Sequence, residues 1–421
     1  EVVQRIVTQG LVDPDGEGWT PRVVRVGRGG RRSTTGQARV APTSSDVVLL
    51  ELAVEERLRR QRKKKGPKFG ITGGGSLVVG EARGEVLAEA HVVAATLSGA
   101  GSQHLIQAVL DGFVSFDAVV IDEAGFCVEP SALIPFRLLP RVMVLVGDPC
   151  QLSATVHCRH AADMQYSRSL MERIMLQNNK IAGALDEAPG VVMLREQYRM
   201  HPQICAWVSQ AFYNGQLHTG PILDQLRMDF HSHPLFQPYL FHDLQYGREV
   251  SLESSVGFSR SNADEAQAVA VLLKPFFERW GTHGRGLSVG VIAPYAAQVG
   301  LLRRILSSFL GPLADCCEVS TVDSFQGREK DVVICSCVRA PGRGPQESQA
   351  RDEDILGFLR DAHRLNVSLT RGRVATWIIG HAATLNMDRT WARMISNART
   401  RGLLRSWRCL SDLQVAALSV Q

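Results

Sequence analysis

Long hydrophobic runs are missing from this chain of 421 residues. No apolar stretch approaches the roughly 18 residues that a membrane helix needs, which excludes a membrane span. No charged-then-apolar leader opens the chain, so no secretory signal is read. Aromatic residues are scarce, at 6%, and a core built on Val, Leu, Ile and Ala is expected instead. There is no CxxC pair. The nine cysteines, an odd number, are scattered through apolar strands and loops. That usage reads as reduced thiols in an intracellular protein. Short repeats and heptads are also absent. Neither sign of charge dominates: 47 Lys+Arg against 42 Asp+Glu leave +5, too little to name a nucleic-acid partner by itself.

What is present is an ordinary globular balance, 45% apolar and 21% charged, which argues against disorder. The length suggests two or three domains of roughly 150 residues each. Glu1 to Val7 are patterned like the middle of an amphipathic helix, so the chain reads as a fragment that starts inside a domain. Residues 1–90 are rich in Gly, Arg and Ser. Within them Arg57 to Lys68 holds eight basic residues in twelve. Phosphate tracking, a nuclear-localisation-like patch and a solvated helix end are all open for that run, and it favours the nucleus over the cytoplasm. From His91 to about Asn179, apolar strands (HVVAAT, FDAVVID, RVMVLVGD) alternate with helical stretches. Ile181 to Gly190 reads as a linker. The pattern then resumes with VVML, a helix near Pro202 to Tyr213, and LSVGVIAPY, CEVSTV, KDVVICSCV and TWIIG. These runs are continuous rather than alternating, as expected for strands buried on both faces of a parallel sheet with crossover helices. The expected fold class is α/β, with two parallel-sheet domains: residues 1–180, linker 181–190, residues 191–400, and a C-terminal tail 401–421.

Several strand ends carry chemistry. VVIDEAG ends in Asp122 and Glu123, and carboxyl ends of parallel strands are where such sheets place ligands. Asp122 suits an oxygen ligand of Mg²⁺ and Glu123 a group that orients or deprotonates water; a solvated strand cap is the alternative. RVMVLVGDPCQL ends in Gly147 and Asp148, with Gln151 able to sense a terminal phosphate; a plain turn is the alternative. LREQYRMHPQI places Tyr198 to stack on a base and Arg199 to bind phosphate, or else a surface Arg beside a core Tyr. Between two strands lie Thr321, Asp323, Gln326, Gly327, Arg328 and Glu329, too polar for filler. In LNVSLTRGR, Arg371 could neutralise a transferring phosphate. Cys150, His157, Cys158 and His160 fit no usual zinc spacing. Cys316 and Cys317 read as strand residues, and His231, His233 and His242 as surface residues.

In order and spacing, IDEAG, GDPCQL, QYRMHP, TVDSFQGREKD and LNVSLTRGR resemble the superfamily-1 helicases of the nonsense-decay and senataxin type. VIAPYAAQ is similar to another segment of that family. The resemblance covers about residues 91–400, with Glu1 to Gly27 a weaker continuation. Residues 43–90 match poorly, near where related proteins insert a stalk or small barrel. The resemblance implies two RecA-like domains, the first truncated at its N-terminus, with ATP in the cleft between them and single-stranded RNA or DNA across the top. It implies Mg²⁺ on Asp122, water activation by Glu123, and γ-phosphate contact by Gln151. Arg199 and Arg371 would reach the phosphates. Glu329 would meet the ribose and Tyr198 the adenine, with Gln326 and Gly327 in the same nucleotide loop. Thr96, Ser98 and Thr321 would touch the nucleic-acid backbone, and Pro294 and Tyr295 would line its track. Closing on ATP and reopening after hydrolysis would shift the domains along the strand, 5′ to 3′. One departure stands out. The family's phosphate-binding GxxxxGK[ST] is not matched, because no GK[ST] occurs in these 421 residues. A clipped motor is therefore expected. The rivals are a non-hydrolysing nucleic-acid-binding module and some other P-loop NTPase.

Overall fold

The computed structural model describes residues 11–12, 18–19, 21–26, 47–49, 53–54, 56–60, 75–182, 190–254, 257–281, 286–342 and 356–419. The amphipathic pattern at Glu1 to Val7, the GITGG of the Gly-rich GITGGGS stretch, most of the linker and the Gln61–Lys68 part of the basic run lie outside them. The chain divides into two compact units. One comprises residues 1–148 and 153–176, the other residues 149–152 and 177–421.

In the first unit, strand β1 (Val23–Val26) lies between β2 (Val47–Leu49) and β3 (Val92–Ala95), all parallel. Helices α1 (Gly75–Ala88) and α2 (Gln103–Leu110) pack on each other. Gly84 allows close packing there, since a β-carbon on it would sit 2.6 Å from the Phe113 ring. Strands β4 (Ala118–Ile121) and β5 (Val142–Leu145) form a separate parallel pair. Burial on both faces does not hold for this pair: Val120 is 63% exposed and Val142 54%. Among the described residues β4 and β5 bond only to each other, so no further strand covers their flanks. A continuous apolar run records β-propensity, whereas burial depends on what packs against it.

The second unit is built on six parallel strands in the order β10-β9-β11-β12-β6-β13. In chain order these are β6 (Tyr239–Leu244), β9 (Val289–Ala293), β10 (Cys317–Thr321), β11 (Lys330–Ser336), β12 (Gly372–Gly380) and β13 (Leu404–Trp407). A small antiparallel hairpin, β7 (Val250–Ser254) with β8 (Gly257–Ser261), stands apart. Every residue of β6 and β9 is buried, as expected of central parallel strands. The helices carry their own start signals. His201 caps α3 (Pro202–Phe212), whose first residue is Pro. Asn262 caps α4 (Ala263–Phe276) and Asp361 caps α6 (Ala362–Leu369), each by accepting backbone N–H bonds. Helix α5 (Ala296–Leu310) connects β9 to β10, and α7 (Arg389–Thr400) connects β12 to β13.

Four expectations are corrected here. The tail expected at 401–421 is part of the sheet: β13 pairs with β6 from Leu404 opposite Phe241 to Trp407 opposite Leu244. The helix after it, α8 (Leu410–Leu418), packs on α4. The edge of β6 offers backbone groups that need partners, and this segment supplies them. Val191–Leu194, expected to be a strand, is not one; Val192 is 84% exposed, and pairing starts only at Glu196 opposite His218. His242 is not a surface residue. It is fully buried in β6, its Nδ1 accepts the Trp407 indole N–H at 3.3 Å, and burial pushes its pKa down to about 3. The core also has an aromatic centre: Trp377 packs against Phe230, Phe236 and Phe276 at ring separations of 6.4, 5.1 and 5.2 Å. A low aromatic total says nothing about whether the few are gathered.

Candidate nucleotide and nucleic-acid site

In the first unit, Asp122 and Glu123 directly follow β4 and are exposed. Glu123 sits in the left-handed region at φ 52°, ψ 40°, uncommon for a side chain of this size. The loop is locked to its neighbour. The Ala124 N–H donates to Val146 O at 2.8 Å, and the Val146 N–H to Ile121 O at 2.9 Å. Two glycines make that approach possible. A β-carbon on Gly147 would lie 2.9 Å from Gly125 N, and one on Gly125 would lie 3.1 Å from Asp148 O. The carboxylates thus stand on a loop held backbone to backbone by the next strand end. Thr96 and Ser98 follow β3. Thr96 caps a short helical turn, its hydroxyl accepting the Gly99 N–H at 3.0 Å, and both side chains are exposed.

In the second unit, Arg371 is 2% exposed and its Nη2 donates to Gln151 Oε1 at 2.8 Å and to Thr370 Oγ1 at 3.0 Å. The segment carrying Gln151 is held on both sides. Asn366 Nδ2 donates to Cys150 O at 2.9 Å, and Leu152 is buried with Val322 and Val367. Arg199 Nε donates to Glu329 Oε2 at 2.7 Å. The structure therefore brings together Gln151 with Arg371, and Arg199 with Glu329. Tyr198 is 62% exposed, with its ring over Gly220. Its hydroxyl donates to Glu196, and that bond raises the phenol's pKa. Thr321 Oγ1 donates to Ser324 Oγ at 2.9 Å. Gly327 sits at φ 74°, the left-handed conformation that favours glycine, and with half-buried Gln326 it forms the turn into Glu329. Pro294 is half-buried at the end of β9, but Tyr295 after it is only 6% exposed. The Tyr295 ring faces Phe358 at 5.6 Å and its hydroxyl accepts from Arg339 Nη1 at 3.4 Å, so it presents no open ring face to a nucleic-acid strand.

Sequence reasoning missed two organising residues. The Gln197 side-chain Oε1 accepts the N–H groups of Arg199 (2.9 Å) and Met200 (2.6 Å), while its Nε2 donates to Met200 O and Thr219 Oγ1. It shapes the turn that presents Tyr198 and Arg199. Asn366, fully buried, does the same for Cys150 and also donates to the Tyr213 hydroxyl at 2.9 Å. An amide at a motif position was the available signal, but its partners are set only by folding.

Two families, each described as "AAA domain", match residues 51–159 and 166–383. The chain is 34% identical to "Probable helicase MAGATAMA 3" of Arabidopsis thaliana over 96% of its own length and 45% of that protein. It is 34% identical to "Probable helicase senataxin" of Homo sapiens over 76% of its length and 11% of that protein. With "Regulator of nonsense transcripts 1 homolog" of Drosophila melanogaster the figures are 32%, 77% and 25%. The chain spans under half the length of these curated relatives. Its parallel-sheet α/β fold is of the RecA-like class. The chain belongs to the AAA-domain helicases, within superfamily 1 and of the nonsense-decay and senataxin type.

Proposed function

We propose that this chain is part of an ATP-dependent motor that translocates 5′ to 3′ on single-stranded RNA or DNA, with ATP and Mg²⁺ as cofactors. The observation that carries the reading is the 2.8 Å bond between Arg371 and Gln151, two motif residues 220 positions apart. A buried guanidinium fixed against a sensing amide is the kind of pre-positioned charge that phosphoryl transfer uses.

The residues present fit Mg²⁺ and the phosphate groups of ATP. Asp122 and Glu123 are adjacent, exposed hard-oxygen donors. Mg²⁺ suits such a site, since it takes one or two carboxylates and fills its remaining positions with water and phosphate oxygens. Arg199 and Arg371 suit phosphate through their planar forks. When bound, Mg·ATP supplies the anhydride whose cleavage drives movement. Asp122 would hold the metal, and Glu123 would orient water and take its proton. Gln151 would report the terminal phosphate, and Arg199 and Arg371 would neutralise phosphate charge. Glu329, Gln326 and Gly327 would meet the ribose side and Tyr198 the adenine. Thr96, Ser98, Thr321 and Pro294 would contact the nucleic-acid strand. For Tyr295 the role narrows to supporting Pro294 from behind, because its ring is covered. The basic run Arg57–Lys68 supports a nuclear site of action.

The rival reading is a strand-binding module that does not hydrolyse ATP. The test is ATP turnover by the full-length protein, with and without single-stranded RNA, for the unaltered form, Glu123→Gln and Arg371→Ala. Stimulated turnover lost in both variants supports the motor. Unchanged turnover in them sinks the role assignment. Salt-sensitive RNA binding without any turnover in the unaltered protein selects the module.

A further inference from the structure

We infer that Arg364 is the positioning residue that ties the turn after Thr321 to the Gln151–Arg371 pair, coupling nucleic-acid binding to ATP turnover. The inference rests on the motor reading and adds to it a residue outside the motif roles given above.

Arg364 lies on α6 and holds that turn with a planar fork. Its Nε donates to Asp323 Oδ1 at 2.9 Å and its Nη2 to Asp323 Oδ2 at 3.1 Å. The third nitrogen, Nη1, donates to Asp361 Oδ2 at 2.9 Å. Asp361 is the residue that caps α6. The guanidinium also lies over the Phe358 ring at 4.9 Å. Asp323 stands two residues after Thr321, in a turn closed by the Thr321–Ser324 hydroxyl bond. Between them Val322 is buried against Leu152 and Val367. Farther along α6, Asn366 grips Cys150 O, and the helix runs out through Thr370 into Arg371. One short helix therefore touches the Thr321 turn at its start, the Gln151 segment at its middle and Arg371 at its end.

A solvated surface ion pair would transmit little, being loose and worth little. This pair is half-covered: Asp323 is 47% exposed but the Arg364 side chain only 23%, and Arg364 is bonded on all three nitrogens and backed by an aromatic ring. Paired N–H···O bonds fix orientation as well as distance, so a displacement of the Thr321 turn would be carried to α6 as a rotation or shift. Lysine would keep the charge but not the fork.

The test uses the full-length protein and measures kcat and KM for ATP, with and without single-stranded RNA, alongside thermal unfolding. The variants are Arg364→Ala, Arg364→Lys and Asp323→Asn. The expected result is unchanged basal kcat and unchanged KM for ATP, with RNA stimulation reduced about tenfold in Arg364→Ala, a size typical of coupling between linked sites. Arg364→Lys should be intermediate and Asp323→Asn should match the alanine variant. If Arg364→Ala does not fold, the other two variants decide the matter. Full stimulation in Arg364→Lys and Asp323→Asn overturns the coupling, and so does a lowered unfolding temperature with stimulation intact. Absence of ATP turnover in the unaltered protein overturns the motor reading itself, a different outcome.

Discussion

Glu265 is a fully buried carboxyl group whose titration should be visible in the stability of the second unit. Its Oε2 accepts from Ser336 Oγ at 2.6 Å and from the Val338 N–H at 2.8 Å, and Asn262 Nδ2 approaches Oε1 at 3.4 Å. Burial dominates over these bonds and, with the charges of Glu249 and Asp264 adding to it, pushes its pKa up to about 8 from 4.5. Between those two values the folded chain keeps a proton that the unfolded chain has released. Stability then falls as pH rises, by about 1.4 kcal/mol per pH unit. Other covered groups act in the opposite sense or at other pH values. His242 and His231 are depressed to about 3 and about 4, chiefly by burial. Their contribution grows with pH through their ordinary value of 6.5 and levels off about one unit above it. Buried thiols such as Cys335 and Cys337 are raised from 9.0 and act only on the alkaline side. From pH 6.5 to 8 Glu265 by itself should remove about 1.6 kcal/mol once partial ionisation near the upper end is included. Glu265→Gln keeps an acceptor for Ser336 and Val338 and cannot ionise, so the unaltered chain should lose that stability relative to the variant over the same range. Urea unfolding read by tryptophan fluorescence suits the measurement, because five of the six tryptophans (Trp207, Trp280, Trp377, Trp391 and Trp407) lie in the second unit. With a urea slope of about 3 kcal/mol per molar, the midpoint of the unaltered chain should drop by about 0.5 M relative to the variant. An identical pH slope in the glutamine variant would refute the reasoning.

Three further substitutions have definite expected outcomes. Trp377→Ala empties the centre of the aromatic cluster and strands the Gln237 carbonyl that accepts its indole N–H at 2.9 Å; it should cost about 3–5 kcal/mol in urea unfolding, and a loss under about 1 kcal/mol would contradict the packing described. Gly372→Ala would place a β-carbon 2.4 Å from both Ala375 O and Thr376 Oγ1. That should cost about 1–3 kcal/mol and, by moving the adjoining Arg371, lower ATP turnover of the full-length protein; wild-type stability and turnover together would show that the backbone yields freely. Tyr198→Phe removes only the exposed bond to Glu196. Its stability should stay within about 0.5 kcal/mol of the parent, and a larger loss in urea unfolding would mean that the hydroxyl is structural.

The residues that look chemical and the way they assemble belong to different levels. Asp122 and Glu123 stand at a strand end because the apolar run before them has to stop, and that much is a local property. The strands β9, β11 and β12 are legible for the same reason: continuous Val, Ile and Ala favour a pleated, covered surface. Local pattern fails where the outcome depends on a partner. Val191–Leu194 has strand composition and no strand beside it. Residues 404–407 have little strand signal, yet β6 offers them an edge. His242 carries a polar label, but the sheet position it occupies is covered on both sides.

Within the candidate site the same division holds. The order IDEAG, GDPCQL, QYRMHP, QGREKD and LTRGR is a property of the chain as written, and family membership follows from it without coordinates. The pairings are not. Arg199 meets Glu329 across 130 positions, Asn366 meets Cys150 across 216, and Arg371 meets Gln151 across 220. Nothing local distinguishes Arg364, on the helix that leads to Arg371, from a solvated helical arginine until Asp323 is brought within 2.9 Å of it. Sequence determines which groups are available and which segments become strands and helices, because propensity, capping and periodicity act over a few residues. Only the tertiary structure decides which groups are buried, paired or strained, because hydrogen bonds and desolvation depend on neighbours that the closed chain brings together from far apart.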